Sequence, residues 1–300
     1  MNKKGSQQLQ LLFKTFNKHS LESLGLNAFA LADAAQDQKF LKSLIHLRQR
    51  CLLVEAAGEK ARAVSPHLLQ LPVDFLAKEW KWLGNHVAGT SQMTIIISSL
   101  PFDLLFNHLR NFLEVQLEGG LDLFLAFWDP NILATLVGHD NQTLYVKGPV
   151  LSEQQLKSLL MPIQSWWYWD RTENLQVIWG ENQYGDSIPT VETPLYFSEE
   201  QERLLIEATT PDHLIYYLKL NNAFLIDGMN DLKLYEFVVE TLPKAQEYGI
   251  SGTRDLLNFI CLKLLYQEKF NTDEKLQSLL LDLKNKHISM DDIMLKLTKG

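Results

Sequence analysis

The stretch that most constrains the fold covers residues 121–133, with the sequence LDLFLAFWDPNIL. Residues 123–128 are apolar without alternation, which is typical of a strand that is covered on both faces. Asp129 can accept hydrogen bonds from the free amides of a following helix. Pro130 suits the first helical position, which needs no amide partner. The stretch therefore predicts a central buried strand that turns directly into a helix, with Asp129 and Pro130 as a structural helix cap.

Composition and cysteine usage limit the class of protein. The chain is 46% hydrophobic and 21% charged, as soluble globular proteins are. No apolar run approaches the roughly 18 residues of a membrane span, and the N-terminus lacks the apolar core of a secretory signal. Cys51 and Cys261 lie far apart in apolar surroundings, which favours buried thiols in a reducing compartment over a disulfide. We therefore expect a cytoplasmic protein without membrane contact.

Charge is distributed unevenly along the chain, whose formal net charge is -8. Residues 1–90 carry 12 basic and 7 acidic side chains, residues 91–195 carry 4 and 12, and residues 196–300 carry 12 and 17. The acidic majority argues against nucleic acid as a partner. The basic first third either steers an acidic protein partner or is an ordinary solvated surface.

Strands and helices alternate in the first 180 residues. The sequence predicts strands near residues 27–35, 51–55, 94–98 and 115–117, with helices between them and a hairpin turn at Gly119-Gly120. Such alternation indicates an α/β lobe, and the antiparallel pair at the hairpin would make its sheet mixed. We predict this lobe for residues 1–180, and a linker for residues 181–195, which contain Gly, Pro and Ser without a period.

Two aromatic strands close the α/β lobe, at residues 165–170 (SWWYWD) and 175–180 (LQVIWG). In the first of them Trp166 and Tyr168 point to one face, and Trp167 and Trp169 point to the other. One pair should fill the core. The other pair lies either under a helix of the same chain or against a partner, which makes Trp166 and Tyr168 candidates for partner binding.

Residues 196–300 contain no tryptophan and repeated helix starts, which predicts an all-α helical bundle as the C-terminal lobe. A capping box begins at Ser198, and Thr210-Pro211 is typical of the start of a second helix. Further helices are predicted over residues 229–246, 253–267, 273–285 and 289–298. Residues 256–266 are apolar on nearly every side, as the central helix of a bundle is.

The sequence contains none of the common catalytic frameworks. It has no P-loop, no GxGxxG after a strand, no GxSxG elbow and no HExxH helix. Its eight histidines lack the spacing of metal ligands. We therefore predict neither a cofactor nor a metal, and a binding protein rather than an enzyme.

Four short pieces of the first lobe resemble the adaptor/chaperone proteins of the bacterial type VI secretion system, which bring toxic effectors to the VgrG spike. These pieces are residues 30–35 (ALADAA), 65–68 (SPHL), 108–110 (HLR) and 127–130 (FWDP). The resemblance covers about residues 27–180 and depends on the order and spacing of the pieces. It is closest there, whereas the second lobe shares only its helical character.

The chain departs from that family at two positions. The family commonly has arginine before the aromatic pair and after the Asp-Pro, where this chain has Ala126 and Asn131. An arginine contact with a partner would be missing or replaced here.

The resemblance implies a non-enzymatic cytoplasmic adaptor that holds a toxic effector and helps to load it onto VgrG. His108 and Arg110 would then belong to a recognition surface for the effector or the spike. The alternative is a structural role, either at the solvent side of their helix or in a hydrogen bond between helix and sheet. As a hypothesis, the helical lobe selects the effector and the α/β lobe carries the contact with the spike.

Two other classes of function remain open. One is an α/β enzyme with Asp129 or Asp33 in a cleft at the strand ends, although Asp33 also suits a turn. The other is a regulatory module whose helical bundle self-associates.

Overall fold

The computed structural model describes residues 3–53, 58–139, 148–183 and 192–298. These residues form two compact units, the first ending at Leu205 and the second beginning at Ile206. The strands of the described residues all lie in the first unit, and the second unit is helical. The predicted fold class, a mixed α/β lobe followed by an all-α bundle, is therefore confirmed.

The strands of the first unit form two sheets. In chain order the strands are β1 (Asn27–Asp33), β2 (Gln49–Cys51), β3 (Pro66–Leu71), β4 (Met93–Ser98), β5 (Glu114–Leu117), β6 (Asp122–Phe124), β7 (Ser165–Trp169), β8 (Leu175–Trp179) and β9 (Leu195–Phe197). The main sheet has the order β2-β3-β1-β4-β7-β8, and every neighbouring pair in it is antiparallel. The second sheet has the order β6-β5-β9, in which β5 and β9 are parallel. The predicted hairpin thus exists, but in a small sheet of its own.

Helices connect these strands and make up the second unit. Those of the first unit are α1 (Lys3–Thr15), α2 (Lys18–Ser23), α3 (Gln38–Ser43), α4 (Gly58–Arg62), α5 (Lys78–His86), α6 (Phe102–Arg110), α7 (Pro130–Leu136) and α8 (Glu153–Leu160). Those that follow are α9 (Glu199–Asn221), α10 (Asp231–Glu247), α11 (Thr253–Tyr266), α12 (Glu274–Lys284) and α13 (Met290–Thr298). In the described ranges no helix is both long enough and apolar enough to cross a bilayer.

The main sheet is apolar on both faces. Strand β1 lies between β3 and β4, and its inner residues are buried whichever way they point. Its alanine face shares an apolar cluster with Trp80 of α5 and Trp167 of β7. On the opposite face, the ring centroids of Phe29 and of Phe102 of α6 lie 6.3 Å apart. Because helices cover both faces, the strands of this antiparallel sheet are apolar without alternation.

The prediction of a buried strand over residues 123–128 is wrong. The strand in this region, β6, covers only residues 122–124, and all of its side chains are exposed. The chain then leaves the sheet and turns through Phe127 and Trp128 into α7. Six consecutive apolar residues fit a buried strand, but they equally fit a short edge strand followed by a turn whose side chains enter the core.

The second unit has the predicted bundle core, with α11 at its centre. Phe259 and Ile260 are fully buried, and the helix packs against α10 and α13. The helices of this unit agree with the predicted ranges. Cys261 is buried, and burial raises the pKa of its thiol. Neither Cys51 nor Cys261 forms a disulfide.

The predicted helix start at Thr210-Pro211 is wrong, because α9 continues through it. Proline has no amide hydrogen and cannot bond the carbonyl four residues earlier, so it usually ends a helix. Here Pro211, Leu214 and Leu218 are buried on one face of α9, and the Thr210 hydroxyl donates to the Ile206 carbonyl at 2.7 Å. Burial of that face offsets the missing bond. The capping box at Ser198 is present at the start of the same helix.

The C-terminal end of the predicted linker is structured. Residues 195–197 form β9 and pair with β5 of the first unit, and the second unit begins at Ile206. Residues 184–191 lie outside the described residues.

A close backbone approach makes Gly180 irreplaceable. A Cβ atom at this position would overlap the carbonyl oxygens of Leu160 and Ile163. We expect Gly180→Ala to lower the free energy of unfolding by about 2 kcal/mol or more, because backbone atoms cannot move aside as a flexible side chain can. Gly119→Ala is the control, since a Cβ there meets only open space. Urea unfolding of both variants tests this, and equal losses would contradict it.

Candidate partner-binding surfaces

Trp166 and Tyr168, the candidates on β7, lie in the interior of the first unit. Trp166 is 0% exposed, and its indole N–H donates to the Thr94 hydroxyl at 2.7 Å. The Tyr168 hydroxyl and Nδ1 of His139 share a hydrogen bond of 2.7 Å. Of the two alternatives for this pair, cover by the same chain is the one that the structure shows. Neither side chain presents a surface to a partner.

Trp167 and Trp169 fill the opposite face of the same strand. The Trp167 indole donates to the Ser165 hydroxyl at 2.8 Å, and the Trp169 indole donates to Oε1 of Gln8 in α1 at 2.8 Å. Both faces of β7 are therefore closed by hydrogen-bonded aromatic side chains. The strand is a structural element of the core.

His108 and Arg110 lie on α6, and each is partly buried. The ring N–H at Nε2 of His108 donates to the Leu159 carbonyl at 3.0 Å, which joins α6 to α8. Burial lowers the pKa of His108, against the opposing effect of this bond. Arg110 is half-buried at the end of α6. The hydrogen bond expected for a structural role thus exists, although it joins two helices rather than a helix and a sheet.

Both acidic side chains proposed for an active site support local backbone structure. Oδ1 of Asp129 accepts hydrogen bonds from the amides of Asn131 at 2.8 Å and Ile132 at 3.4 Å, as the predicted helix cap requires. Pro130 is the first residue of α7. Asp33 accepts from the amide of Ala35 at 3.0 Å, so it stabilises a turn. Capping and turn formation account for both carboxylates.

The β5-β6 hairpin of the first unit exposes three apolar side chains. Leu121, Leu123 and Phe124 all reach solvent, Phe124 at 60% exposure. Strand β6 is an edge strand, so its outer backbone groups can also pair with an added strand. We call these three side chains the hairpin patch. The sequence analysis placed two of them, Leu123 and Phe124, in a buried strand.

A second surface of the first unit is basic and lies at the β2 edge of the main sheet. It is a depression of about 350 Å³ lined by Gln49, Arg50, Cys51, Arg62 and His67. The Arg50 guanidinium lies 3.9 Å from the centroid of the Phe106 ring, which holds this side chain against α6. Burial lowers the pKa of His67, whose Nδ1–H donates to the Ser65 carbonyl at 2.9 Å. Its charge therefore comes from the two arginines.

Beside this depression a further arginine is fixed by α6. Both oxygens of Asp103 accept from the Arg48 guanidinium at 2.8 Å, and that guanidinium lies 4.4 Å from the Phe102 ring centroid. The pair is exposed and so contributes little stability. The pair fixes the position of one arginine of the basic first third of the chain. The sequence predicted the charge of this region but not its geometry. Within the described ranges, no group of three or more potential metal ligands occurs.

Residues 28–144 match the family described as a domain of unknown function (DUF4123). In the described part of the chain the match runs from β1 into the residues after α7, and it includes the hairpin patch and the basic depression. No curated protein and no solved structure matches the chain significantly. The match covers less than half of the chain and names no activity.

Replacement of Asp129 tests its role as a helix cap. We expect Asp129→Asn to cost about 1 kcal/mol or less in unfolding free energy, because asparagine caps helices nearly as well as aspartate. Asp129→Ala should cost about 1 kcal/mol or more, since the amides of Asn131 and Ile132 then lose their acceptor. Urea unfolding of both variants provides the measurement. A larger loss with asparagine than with alanine would contradict the capping role.

Burial of His108 makes stability depend on pH. Its pKa in the folded chain is below the ordinary value of 6.5, so the unfolded chain binds the proton more readily. The stabilisation is complete above about pH 6.5 and is lost as the pH falls through the folded pKa. We expect the free energy of unfolding to decrease from about pH 7.5 to about pH 5, and His108→Gln to reduce that slope. His67 shifts in the same direction and leaves a residual slope. An unchanged slope in the variant would contradict this assignment.

Proposed function

We propose that this chain is a non-enzymatic adaptor of the type VI secretion system, which holds a toxic effector in the cytoplasm and helps to load it onto VgrG. The main support for the proposal is where the four pieces of the resemblance lie in the chain. All four pieces of the resemblance to that adaptor family, from residues 30–35 to residues 127–130, lie within the matched residues 28–144. They lie on and just after β1, at the start of β3, at the end of α6 and at the start of α7.

The arrangement of the first unit supports binding rather than turnover. The carboxylates of Asp129 and Asp33 are held by backbone amides, and the aromatic side chains of β7 are enclosed. An apolar hairpin and a basic edge, by contrast, reach solvent. Apolar side chains at an edge strand are the kind of surface that pairs with another polypeptide.

An adaptor requires two separable surfaces, one for the effector and one for the spike. In this proposal the hairpin patch contributes to the contact with VgrG, because it lies in the region shared with the family. The helical second unit lies outside the match, as expected of an element that changes with the effector. The division of the chain at Leu205 supports the assignment of one partner to each unit.

Co-purification of the full chain with both partners tests the proposal. The tagged chain is co-expressed with the VgrG and the toxin encoded beside it, and we expect both to be retained. A variant with Leu123→Ser and Phe124→Ser should lose VgrG by about tenfold or more while it retains the toxin. Leu76→Ser is the matched control, since Leu76 is an exposed leucine of the same unit outside the hairpin.

Two results would overturn the proposal in different ways. If neither protein is retained by the unmodified chain, the adaptor function is wrong. If the hairpin variant loses the toxin and keeps VgrG, the assignment of partners to the two units is wrong.

A further inference from the structure

The outer edge of β6 carries backbone groups that no strand of the described residues pairs with. The Leu125 amide donates to the Leu113 carbonyl of the β5 side at 2.8 Å. Bonded and non-bonded positions alternate along an antiparallel ladder, so Leu123 also bonds to β5, whereas Asp122 and Phe124 direct their N–H and C=O groups away from it. Strand β6 is the end of its sheet. Its edge therefore offers two N–H and two C=O groups to an added strand.

The inner face of the small sheet is apolar and continues to this edge. Val115 and Leu117 of β5 and Phe197 of β9 are buried on it. Leu123 lies on the same face, because it is paired with Val115, and Leu121 is two residues away along the chain. At the edge these two leucines are only partly covered, with 42% and 60% of their surface exposed. Apolar side chains of an added strand would extend the inner layer over both leucines.

The outer face of the same sheet is acidic. Asp122 and Phe124 lie on it, directly opposite Gln116 and Glu114 of β5, and all four side chains are exposed. Because these are the non-bonded pairs of the ladder, their side chains approach each other most closely. The Gln116 amide accordingly donates to Oδ1 of Asp122 at 3.3 Å. Two carboxylates and an aromatic ring thus occupy the outer face next to the open edge.

Negative charge continues across the small sheet on this outer face. Tyr196 of β9 is exposed there, in register with β5. Desolvation raises the pKa of Tyr196, and the carboxylates of Glu118 and Glu199 raise it further. Oε2 of Glu118 accepts a hydrogen bond from the Glu199 amide at 3.0 Å. Within the part of the chain that the structure describes, no ion pair involves Glu114, Glu118 or Asp122. The register therefore brings several carboxylates together in space without a cation to balance them.

We propose that the outer edge of β6 binds an extended segment of a partner protein as an added strand, in which apolar and basic side chains alternate. The basic side chains would lie on the outer face with Asp122 and Phe124, and the apolar ones would cover Leu121 and Leu123. A second copy of this chain is disfavoured, because pairing of two β6 strands would bring their carboxylates onto one face. The inference rests on the proposed function for the identity of the partner, which would be VgrG.

Synthetic strands test the site without knowledge of the partner. Three labelled peptides of about seven residues are compared. The first alternates valine with lysine, the second alternates valine with glutamate, and the third contains the residues of the first without alternation. Fluorescence anisotropy with the full chain measures each affinity. We expect the alternating lysine peptide to bind about tenfold or more tightly than either of the others.

Methylation of peptide amides tests backbone pairing directly. Successive residues of a strand direct their amides to opposite edges, so methyl groups on the lysine amides block one edge of the peptide and methyl groups on the valine amides block the other. Only one edge of the peptide would face β6. We therefore expect one methylated form to lose about tenfold or more in affinity and the other to bind like the parent peptide. A peptide held by charge alone would not distinguish the two forms.

Variants of the full chain locate the binding. Asp122→Lys should weaken the lysine peptide by about tenfold or more and strengthen the glutamate peptide, because it reverses the charge beside the edge. Glu181→Lys is the matched control, since Glu181 is exposed and lies outside the small sheet, and the same change of charge there should leave both affinities unchanged. Both changes are on the surface, and circular dichroism checks that the fold remains.

Several results would overturn the inference. They are equal binding of the lysine peptide and either of the other two, equal binding of the two methylated forms, or equal effects of Asp122→Lys and Glu181→Lys. Sedimentation that shows a dimer which the lysine peptide dissociates would assign the edge to a second copy instead.

Co-purification separates this inference from the proposed function. If Asp122→Lys retains VgrG and the toxin as fully as the unmodified chain does, VgrG is refuted as the occupant of the edge and the adaptor function stands. If the lysine peptide binds at β6 but the unmodified chain retains neither protein, the adaptor function is refuted and the strand site stands.

Discussion

The core of the first unit depends on a hydrogen-bond acceptor for each indole N–H that is buried in it. An unpaired N–H in such a core costs about 1–3 kcal/mol. Each buried tryptophan of the sheet and its helices donates to an acceptor in the same unit: Trp80 to the Pro72 carbonyl, Trp166 to Thr94, Trp167 to Ser165 and Trp169 to Gln8. With these bonds made, the aromatic side chains stabilise the core and take no part in recognition.

Local rules predicted the elements whose cause is local. The cap at Asp129, the capping box at Ser198 and the alternation of side chains along β7 each depend on a few consecutive residues, and the structure shows all three. The prediction of a strand at residues 123–128 was wrong because an apolar run does not reveal whether its residues lie in a sheet or in a turn. The prediction of a helix start at Pro211 was wrong for a similar reason, because the burial that offsets the missing hydrogen bond comes from distant helices.

The binding surfaces were harder to predict than the fold. The sequence selected large aromatic and charged residues such as Trp166 and His108, which turned out to be enclosed or bonded within the unit. Exposure is a tertiary property, and it depends on which helix happens to cover a given face.

The parallel pairing of β5 with β9 has a consequence for the order of folding. Val115 and Leu195 are paired although they lie 80 residues apart in the chain, whereas the β5-β6 hairpin joins near neighbours. Contacts of such high sequence separation close a long loop and therefore form late. During synthesis β5 would present an open edge until β9 emerges. A nascent chain truncated before Leu195 would keep that edge available for non-native strand pairing.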